Sequence, residues 1–444
     1  VFTNFRQTEA YLNRLVNYER THVMPPARGR PDFSRVLSAI KAAHLWKAPP
    51  LTVHIAGTKG KGSTLLYLEA LLAPTRRVVS FTSPHLLSVR ERVRVSQAPV
   101  EEQTWLAAFN ALYPVLDLSR TKGKPLTYFE TIFLVYLWTL FHRSGEVALV
   151  EVGLGGTYDC TNILTPTVSI LAPIDYDHTE ILGRSLAGIA RDKAGIIKPS
   201  RPVVIGRQRP VVQKELQGAA AERGCLTMRL GRDFDWQEGD GDQWHYEHQG
   251  EMRFRGLQLR SSARHQRDNA ATAICTAVLL EKFGQRLTTG QVRRRLAGVH
   301  LPGRLELFPG SPPVLLDVAH NPASFRALAA FLSENFHHKR ILLISGILEQ
   351  KDYRACLKQV LPQVKQAIFA RLSHPRSRSP SDLAAFASSL GVSAQIVETE
   401  EAAFERMRHR KDFDLVVIAG SFTLAGAYVA WRKAAERSEP GGRK

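Results

Sequence analysis

The segment 51–64, LTVHIAGTKGKGST, restricts this chain more than any other stretch. The first six residues predict a short strand over 51–56, GTKGKGST predicts a loop, and a helix is expected from about Ser63 to Leu72. Strand, glycine-rich loop and helix is the order a phosphate-binding loop requires. Glycines let backbone N–H groups approach phosphate oxygens, and the helix turns its positive end toward the anion. Gly57, Thr58, Gly60, Lys61, Gly62, Ser63 and Thr64 are therefore candidates to hold phosphates. Lys61 supplies a mobile charge, and the Ser63 and Thr64 hydroxyls lie where Mg²⁺ or phosphate would be. The spacing departs from GxxxxGK[ST], because Gly62 stands between Lys61 and Ser63. The bland alternative is a tight turn.

Around this loop the pattern is that of an α/β protein. Residues 1–50 read as helical and end in Pro49-Pro50. Strands are expected at 147–152, 168–172 and 203–205, with helical stretches between. The first of these is a nearly unbroken apolar run, as expected of a parallel strand covered on both faces. Residues 229–260 are rich in Asp, Gly, Gln and aromatics and read as a small meander of hairpins, followed by a long helix over 263–283 and a hinge at 298–303, GVHLPG. The last third alternates strands at 314–319, 341–346, 367–370, 395–397 and 415–420 with helix-length segments. That alternation predicts a second parallel sheet with helices on both faces. The expected architecture is a P-loop-type N-terminal domain with a parallel central sheet, residues 1–299, and a smaller Rossmann-like α/β domain, residues 300–444.

Other candidates sit at strand ends, where ligands of parallel sheets bind. Glu151 closes VALVEV just before Gly153-Leu154-Gly155-Gly156, and could equally be a surface acid. Asp175-Tyr176-Asp177-His178-Thr179 follows VSILAP, and its Asp177 and His178 alone would read as solvated turn residues. Lys193, in RDKAGIIKP, alone would read as an exposed helix lysine. Asp317 and His320, in LLDVAHNP, could be catalytic or could simply cap the next helix.

Taken in order, GTKGKGST, SPHL (83–86), TYFE (127–130), EVGLGGTYDCTN (151–162), DHT (177–179), KAGI (193–196), PGR (302–304) and DVAHNP (317–322) closely resemble the folylpolyglutamate synthase and dihydrofolate synthase family, a branch of the Mur-ligase superfamily. The resemblance runs from about residue 50 to 425. It implies an ATP-dependent carboxylate–amine ligase. In that reaction a carboxylate takes the γ-phosphate of ATP, the amino group of glutamate attacks the acyl phosphate, and phosphate leaves. The resemblance further implies that Lys61 and the loop backbone hold the ATP phosphates. Ser83 and Glu151 would be ligands of one Mg²⁺ and His178 of a second. Lys193 matches the lysine that the superfamily carbamylates, which turns a cation into an anion suited to a metal site. Asn269, Arg304, Asp317 and His320 would serve the nucleotide, with ATP between the domains. Thr127, Tyr128, Phe129, Glu130, Tyr158, Asp159 and Cys160 would line the pterin side, Asp159 being the most telling. Lys61, Lys193 and His178 would be the catalytic set. Lys59 stands where many bacterial members have Asn, and 229–260 matches no family motif.

Composition bears on the competing readings. The formal net charge of +19 fits either a nucleic-acid binder or an enzyme of anionic substrates. A nucleic-acid binder should show clustered Arg and Lys interleaved with exposed aromatics. Only RLSHPRSRSP (371–380) and Arg293–Arg295 approach that, and they read as a solvated loop ahead of a helix near Ser381 and a solvated helix face. Pteroate or folate, L-glutamate and ATP supply the anionic partners instead, and no nucleic acid is expected. A Mur-type ligase acting on another carboxylate is the alternative enzyme. Four dispersed cysteines without a CxxC pair suggest neither a zinc ribbon nor a disulfide framework. They point to a reducing, cytoplasmic setting. The longest apolar run, 132–141, is far short of a membrane span and reads as a core helix. The first residues do not read as a signal peptide. A cytoplasmic monomer is expected.

Overall fold

A computed structural model describes residues 1–18, 31–45, 50–121, 123–284, 286–408 and 410–438. The chain forms two compact units. The first comprises Val1–His85 and Val89–Val299, the second Leu86–Ser88 and His300–Lys444.

The first unit is built on an eight-stranded sheet. Its strands are β1 Leu51–Ala56, β2 Val78–Phe81, β3 Val93–Val95, β4 Ala98–Pro99, β5 Val147–Glu151, β6 Val168–Leu171, β7 Val203–Ile205 and β8 Thr227–Arg229. They lie in the order β4-β3-β2-β5-β1-β6-β7-β8. β3 pairs antiparallel with both β2 and β4, and all the other pairs are parallel. The strand preceding the glycine loop is thus central, flanked by the strands that end in Glu151 and lead into Asp175. That arrangement is the one in which a parallel sheet gathers ligands beyond its carboxyl edge.

The expected meander is present as a three-stranded antiparallel sheet of β9 Phe234–Glu238, β10 Trp244–His248 and β11 Glu251–Leu257. The helix after it runs Arg264–Leu280 and ends in a 3₁₀ turn, Glu281–Phe283. The apolar run 132–141 lies within the helix Tyr128–His142, whose Ile132–Leu137 stretch is wholly buried beside Phe81, Trp105 and Phe109. Among the described residues no helix is long and apolar enough to cross a membrane.

The second unit carries β12 Glu306–Phe308, β13 Val314–Leu316, β14 Ile341–Ser345, β15 Val364–Ala370, β16 Ser393–Val397 and β17 Leu415–Ala419, in the order β12-β13-β17-β14-β15-β16. β12 is antiparallel to β13 and the remaining pairs are parallel. Asp317 and His320 follow the carboxyl end of β13, as expected.

Several expectations change. Residues 1–50 are not one helical stretch. Helices occupy Phe5–Asn13 and Ser34–Ala42, while residues 19–30 and 46–49, including Pro49, lie outside the described residues. The loop helix starts at Lys61, two residues early, because Gly60 already occupies the cap position with φ of 78°. The edge strands β3, β4 and β12 are short and partly exposed, so they leave little hydrophobic pattern to read. Residues Leu86–Ser88 leave the first unit for the second, where Leu86 packs on the core of β13, β14 and β17. Arg293 and Arg294 are exposed, as expected of a solvated face, and Arg295 is half-buried. Within that face Arg293 and Arg295 also donate to the Arg255 and Leu71 carbonyls at 2.9 and 2.7 Å. The 371–380 loop does precede a helix, Pro380–Ser389, but Arg378 lies over the Tyr353 ring at 4.5 Å and Arg371 pairs with Glu398.

Candidate functional site

The glycine loop is stitched to the segment after β6. Thr58 N–H donates to Pro173 O at 2.9 Å, and the Thr58 hydroxyl donates to Asp175 O at 2.9 Å. Lys59 and Arg209 face the Asp175 carboxylate at 3.9 and 3.4 Å. Gly60 is in the left-handed region, and a Cβ there would strike the Asn269 side chain, so only glycine suits the place. Asn269 is buried on the helix Arg264–Leu280 and is held by Gln266 at 3.2 Å.

The helix Lys61–Leu72 begins without a side-chain cap. Its first N–H groups therefore point outward as donors with no intrahelical partner. The Thr64 hydroxyl, one turn in, is buried with no hydrogen-bond partner. An orphaned hydroxyl beside an uncapped helix start is what a bound phosphate and its cation would satisfy.

Lys61 leans across to Glu151, Nζ to Oε1 at 3.7 Å. Ser83 N–H donates to the other oxygen, Oε2, at 3.2 Å. Glu151, the last residue of β5, is 3% exposed, and Ser83 9%, so a lysine ammonium, a carboxylate and the backbone N–H of a serine meet at one protected point. Mg²⁺ uses one or two carboxylates together with phosphate oxygens and waters. The set fits a Mg²⁺–nucleotide. Among the described residues no three His, Cys, Asp or Glu side chains gather as a metal cluster.

Lys193 ends the helix Leu186–Lys193 and is 5% exposed. It is therefore not the surface lysine its local sequence suggests. Among the described residues no hydrogen bond or ion pair reaches its ammonium. Burial, and then the charge of Lys61, lower its pKa to about 7, with Asp192, Asp177 and Asp159 pulling the other way. The glycines of GLGGT make this burial possible. A Cβ on Gly156 would lie 2.8 Å from Asp192 O and 2.8 Å from Lys193 Cα. Thr157 then donates from both N–H and hydroxyl to Asp192 O, at 2.9 and 2.8 Å.

His178 adopts a left-handed backbone, φ 50°, ahead of the short helix Thr179–Leu182, and its Nδ1 lies 3.8 Å from Glu180. Its neighbour Asp177 lies near Lys193, which brings the DHT segment to the same region.

The TYFE and TYDC segments form a second group. Thr127 and Glu130 make a reciprocal capping box for the helix Tyr128–His142, and Arg35 pairs with Glu130 at 2.7 Å. Thr127→Ala should therefore cost about 1 kcal/mol of stability, measurable by urea unfolding, and an unchanged midpoint would contradict the cap. Phe129 rests on Phe81 at 5.3 Å and against Gly153, so the group adjoins the loop after Glu151. Arg92 lies over the Tyr128 ring at 5.3 Å. Tyr158 is 37% exposed, whereas Cys160 is buried and its thiol pKa is pushed up by that burial. Asp159 accepts from the N–H groups of Gly153, Leu154 and Thr161 and from the Thr161 hydroxyl. Two carboxylate oxygens offer about four acceptor positions. Asp159 therefore acts first on its own loop, a role its place in the motif does not reveal. Asp175 and Asp192 also escape a motif reading, although both adjoin singled-out residues.

In the second unit, Asp317 accepts from Leu305 N–H at 2.9 Å and Ala319 N–H at 2.8 Å. Burial raises its pKa to about 6 against the pull of those bonds, Arg304 and His320. His320 Nδ1 donates to Val318 O at 2.8 Å and its ring packs on Phe422.

The Mur ligase, glutamate ligase domain family matches residues 303–422. The dihydrofolate synthase/folylpolyglutamate synthase of Escherichia coli K12 is 32% identical over 378 residues, which cover 85% of each chain. E. coli FolC in complex with DHPP and ADP is similar with a TM-score of 0.85 at 28% identity, covering 98% of this chain and 99% of that one. The Yersinia pestis bifunctional folylpolyglutamate synthase/dihydrofolate synthase, complexed with AMPPNP and Mn ion, gives 0.83 at 30% identity, covering 97% and 98%.

Proposed function

This chain belongs to the folylpolyglutamate synthase/dihydrofolate synthase family, and on that premise we propose that it is an ATP-dependent ligase joining L-glutamate to dihydropteroate, to reduced folates, or to both. The observation that carries the reading is the meeting of Lys61, Ser83 and Glu151 at an uncapped helix start.

A carboxylate is a poor electrophile, so its oxygen first attacks the γ-phosphorus of ATP and ADP leaves. The glutamate amine then attacks the acyl phosphate carbon, loses a proton, and inorganic phosphate departs with the C–O bond electrons. Negative charge is concentrated throughout, which makes positioning and charge compensation the main tasks. The loop from Gly57 to Thr64 receives the phosphates on its N–H groups, and Lys61 follows the migrating charge. Ser83 and Glu151 would hold Mg²⁺, with His178 serving a second ion. Held by those residues, Mg²⁺ would offset the charge repulsion between the phosphates and the incoming carboxylate.

Lys193 is the residue whose chemistry must change. A bare ammonium would repel a cation. Its low pKa leaves free amine near neutrality, and that amine can add CO₂ to give a carbamate and a proton. The resulting anion suits the site. Asn269, Arg304, Asp317 and His320 are assigned to the nucleotide. Thr127–Glu130 and Tyr158–Cys160 are assigned to the pterin side.

The test is direct. Incubation with ATP, Mg²⁺, glutamate and either dihydropteroate or tetrahydrofolate should yield products heavier by one glutamyl residue; addition to neither overturns the proposal. Glu151→Ala should raise the Mg²⁺ needed for half-maximal rate on the order of tenfold or more. An unchanged Mg²⁺ titration removes Glu151 from the site.

A further inference from the structure

One buried ring in β1 has no part in the reaction. His54 is fully buried, with Val150 of β5 and Ser169 of β6 as its register neighbours. A polar ring is a costly filling for a strand covered on both faces unless its hydrogen bond matters. Its Nε2 lies 2.8 Å from Thr161 Oγ1. The Thr161 hydroxyl donates in turn to Asp159 Oδ1, which can only accept.

A hydroxyl has one hydrogen. With that hydrogen given to Asp159, Thr161 Oγ1 can only accept from the histidine. Nε2 therefore carries the ring hydrogen and Nδ1 is bare. Nδ1 is also the ring atom that is buried without a partner. A proton there would be an orphaned N–H, and burial, aided by the charge of Lys198, keeps the ring neutral with a pKa near 3. The other Asp159 oxygen receives Gly153 N–H at 3.0 Å and Leu154 N–H at 3.1 Å. These residues follow Glu151 directly, and Gly156 beyond them lies on the Lys193 backbone.

We propose that His54 is a positioning residue for the ligase reaction, setting the course of the 153–159 loop through Thr161 and Asp159. This rests on the function proposed above. The relay fixes the loop between Glu151 and Lys193, two groups that the reaction uses, and it starts from a ring buried within β1.

His54→Leu and His54→Gln separate this role from simple core filling. Leucine fills the space and removes the orphaned nitrogen, so the unfolding midpoint should hold within a few degrees while kcat falls about tenfold. Glutamine restores a donor and should recover most of the rate. Thr161→Val breaks the same relay, so the combined His54→Leu/Thr161→Val variant should lose no more than Thr161→Val alone. In wild-type protein, the ¹⁵N side-chain signal that is missing from His54→Gln should report the Nε2–H tautomer. Wild-type kcat in His54→Leu, losses that multiply in the combined variant, or an Nδ1–H ring would each overturn the proposal. Glutamate addition by the wild-type protein is measured alongside; its absence counts against the ligase reading, not against the relay.

Discussion

Lys193→Ala should abolish glutamate-dependent release of ADP, with a loss on the order of 10²–10³-fold. The side chain is buried, faces the Lys61 charge, and has no hydrogen-bonded counter-ion among the described residues. As an ammonium it is badly placed. As a carbamate it would replace a repulsion with an attraction where Mg²⁺ and the γ-phosphate are expected. Two readouts distinguish this role from loss of packing. Wild-type protein equilibrated with ¹³C-bicarbonate should show a carbamate resonance that the variant lacks. Small carboxylates such as formate should restore part of the variant's rate by occupying the vacated space. Full activity without such additives would sink the carbamate role.

Gly156→Ala should be nearly as damaging, although it adds one methyl group. The new Cβ would sit 2.8 Å from Asp192 O, 2.8 Å from Lys193 Cα and 2.9 Å from Lys193 O. All three are main-chain atoms, so no rotamer change relieves the clash. Overpacking of this kind costs about 1–3 kcal/mol. The same displacement moves Lys193 relative to Glu151, and misplacement by about 1 Å costs roughly 10²-fold in rate. Denaturation and steady-state kinetics together provide the check. A stable variant with unchanged kcat would mean that the loop yields without carrying Lys193 with it.

These two residues also mark where the sequence was readable. The phosphate loop declares itself locally, because glycine spacing, a lysine and a following helix are all sequence properties. The apolar strand before Glu151 is legible for a similar reason, since burial on both faces leaves nothing polar in it. Lys193 is different. Its own neighbourhood describes a surface helix, and only resemblance singles it out. The burial comes from Gly156, whose missing side chain lets one backbone settle on another, and from Gly155, which leaves room for the Asp192 side chain. Asp159 shows the opposite limit. Its motif marks it as important, yet the four donors that occupy its carboxylate come from a turn whose closure no residue pattern states. The short edge strands β3, β4 and β12 were lost because partial exposure removes the apolar signal. The solvated face at 293–295 was legible, but the carbonyl partners of Arg293 and Arg295 were not, because they lie far away in sequence.

The detour of Leu86–Ser88 has a bearing on how the molecule is made. Leu86 packs into the second unit, where a Cβ on Gly303 would approach it to 3.3 Å and one on Gly426 would strike its carbonyl. Gly426 lies roughly 340 residues downstream of Leu86. At about 5–20 residues per second, a ribosome needs on the order of half a minute to deliver it. Through that interval the three-residue strap waits for the later residues of its own unit. The smaller unit is thus completed on a piece made roughly 200 residues or more before the rest of it. A segment beginning at His300 and expressed alone would lack that piece and should show a lower unfolding midpoint than the same unit in the whole chain.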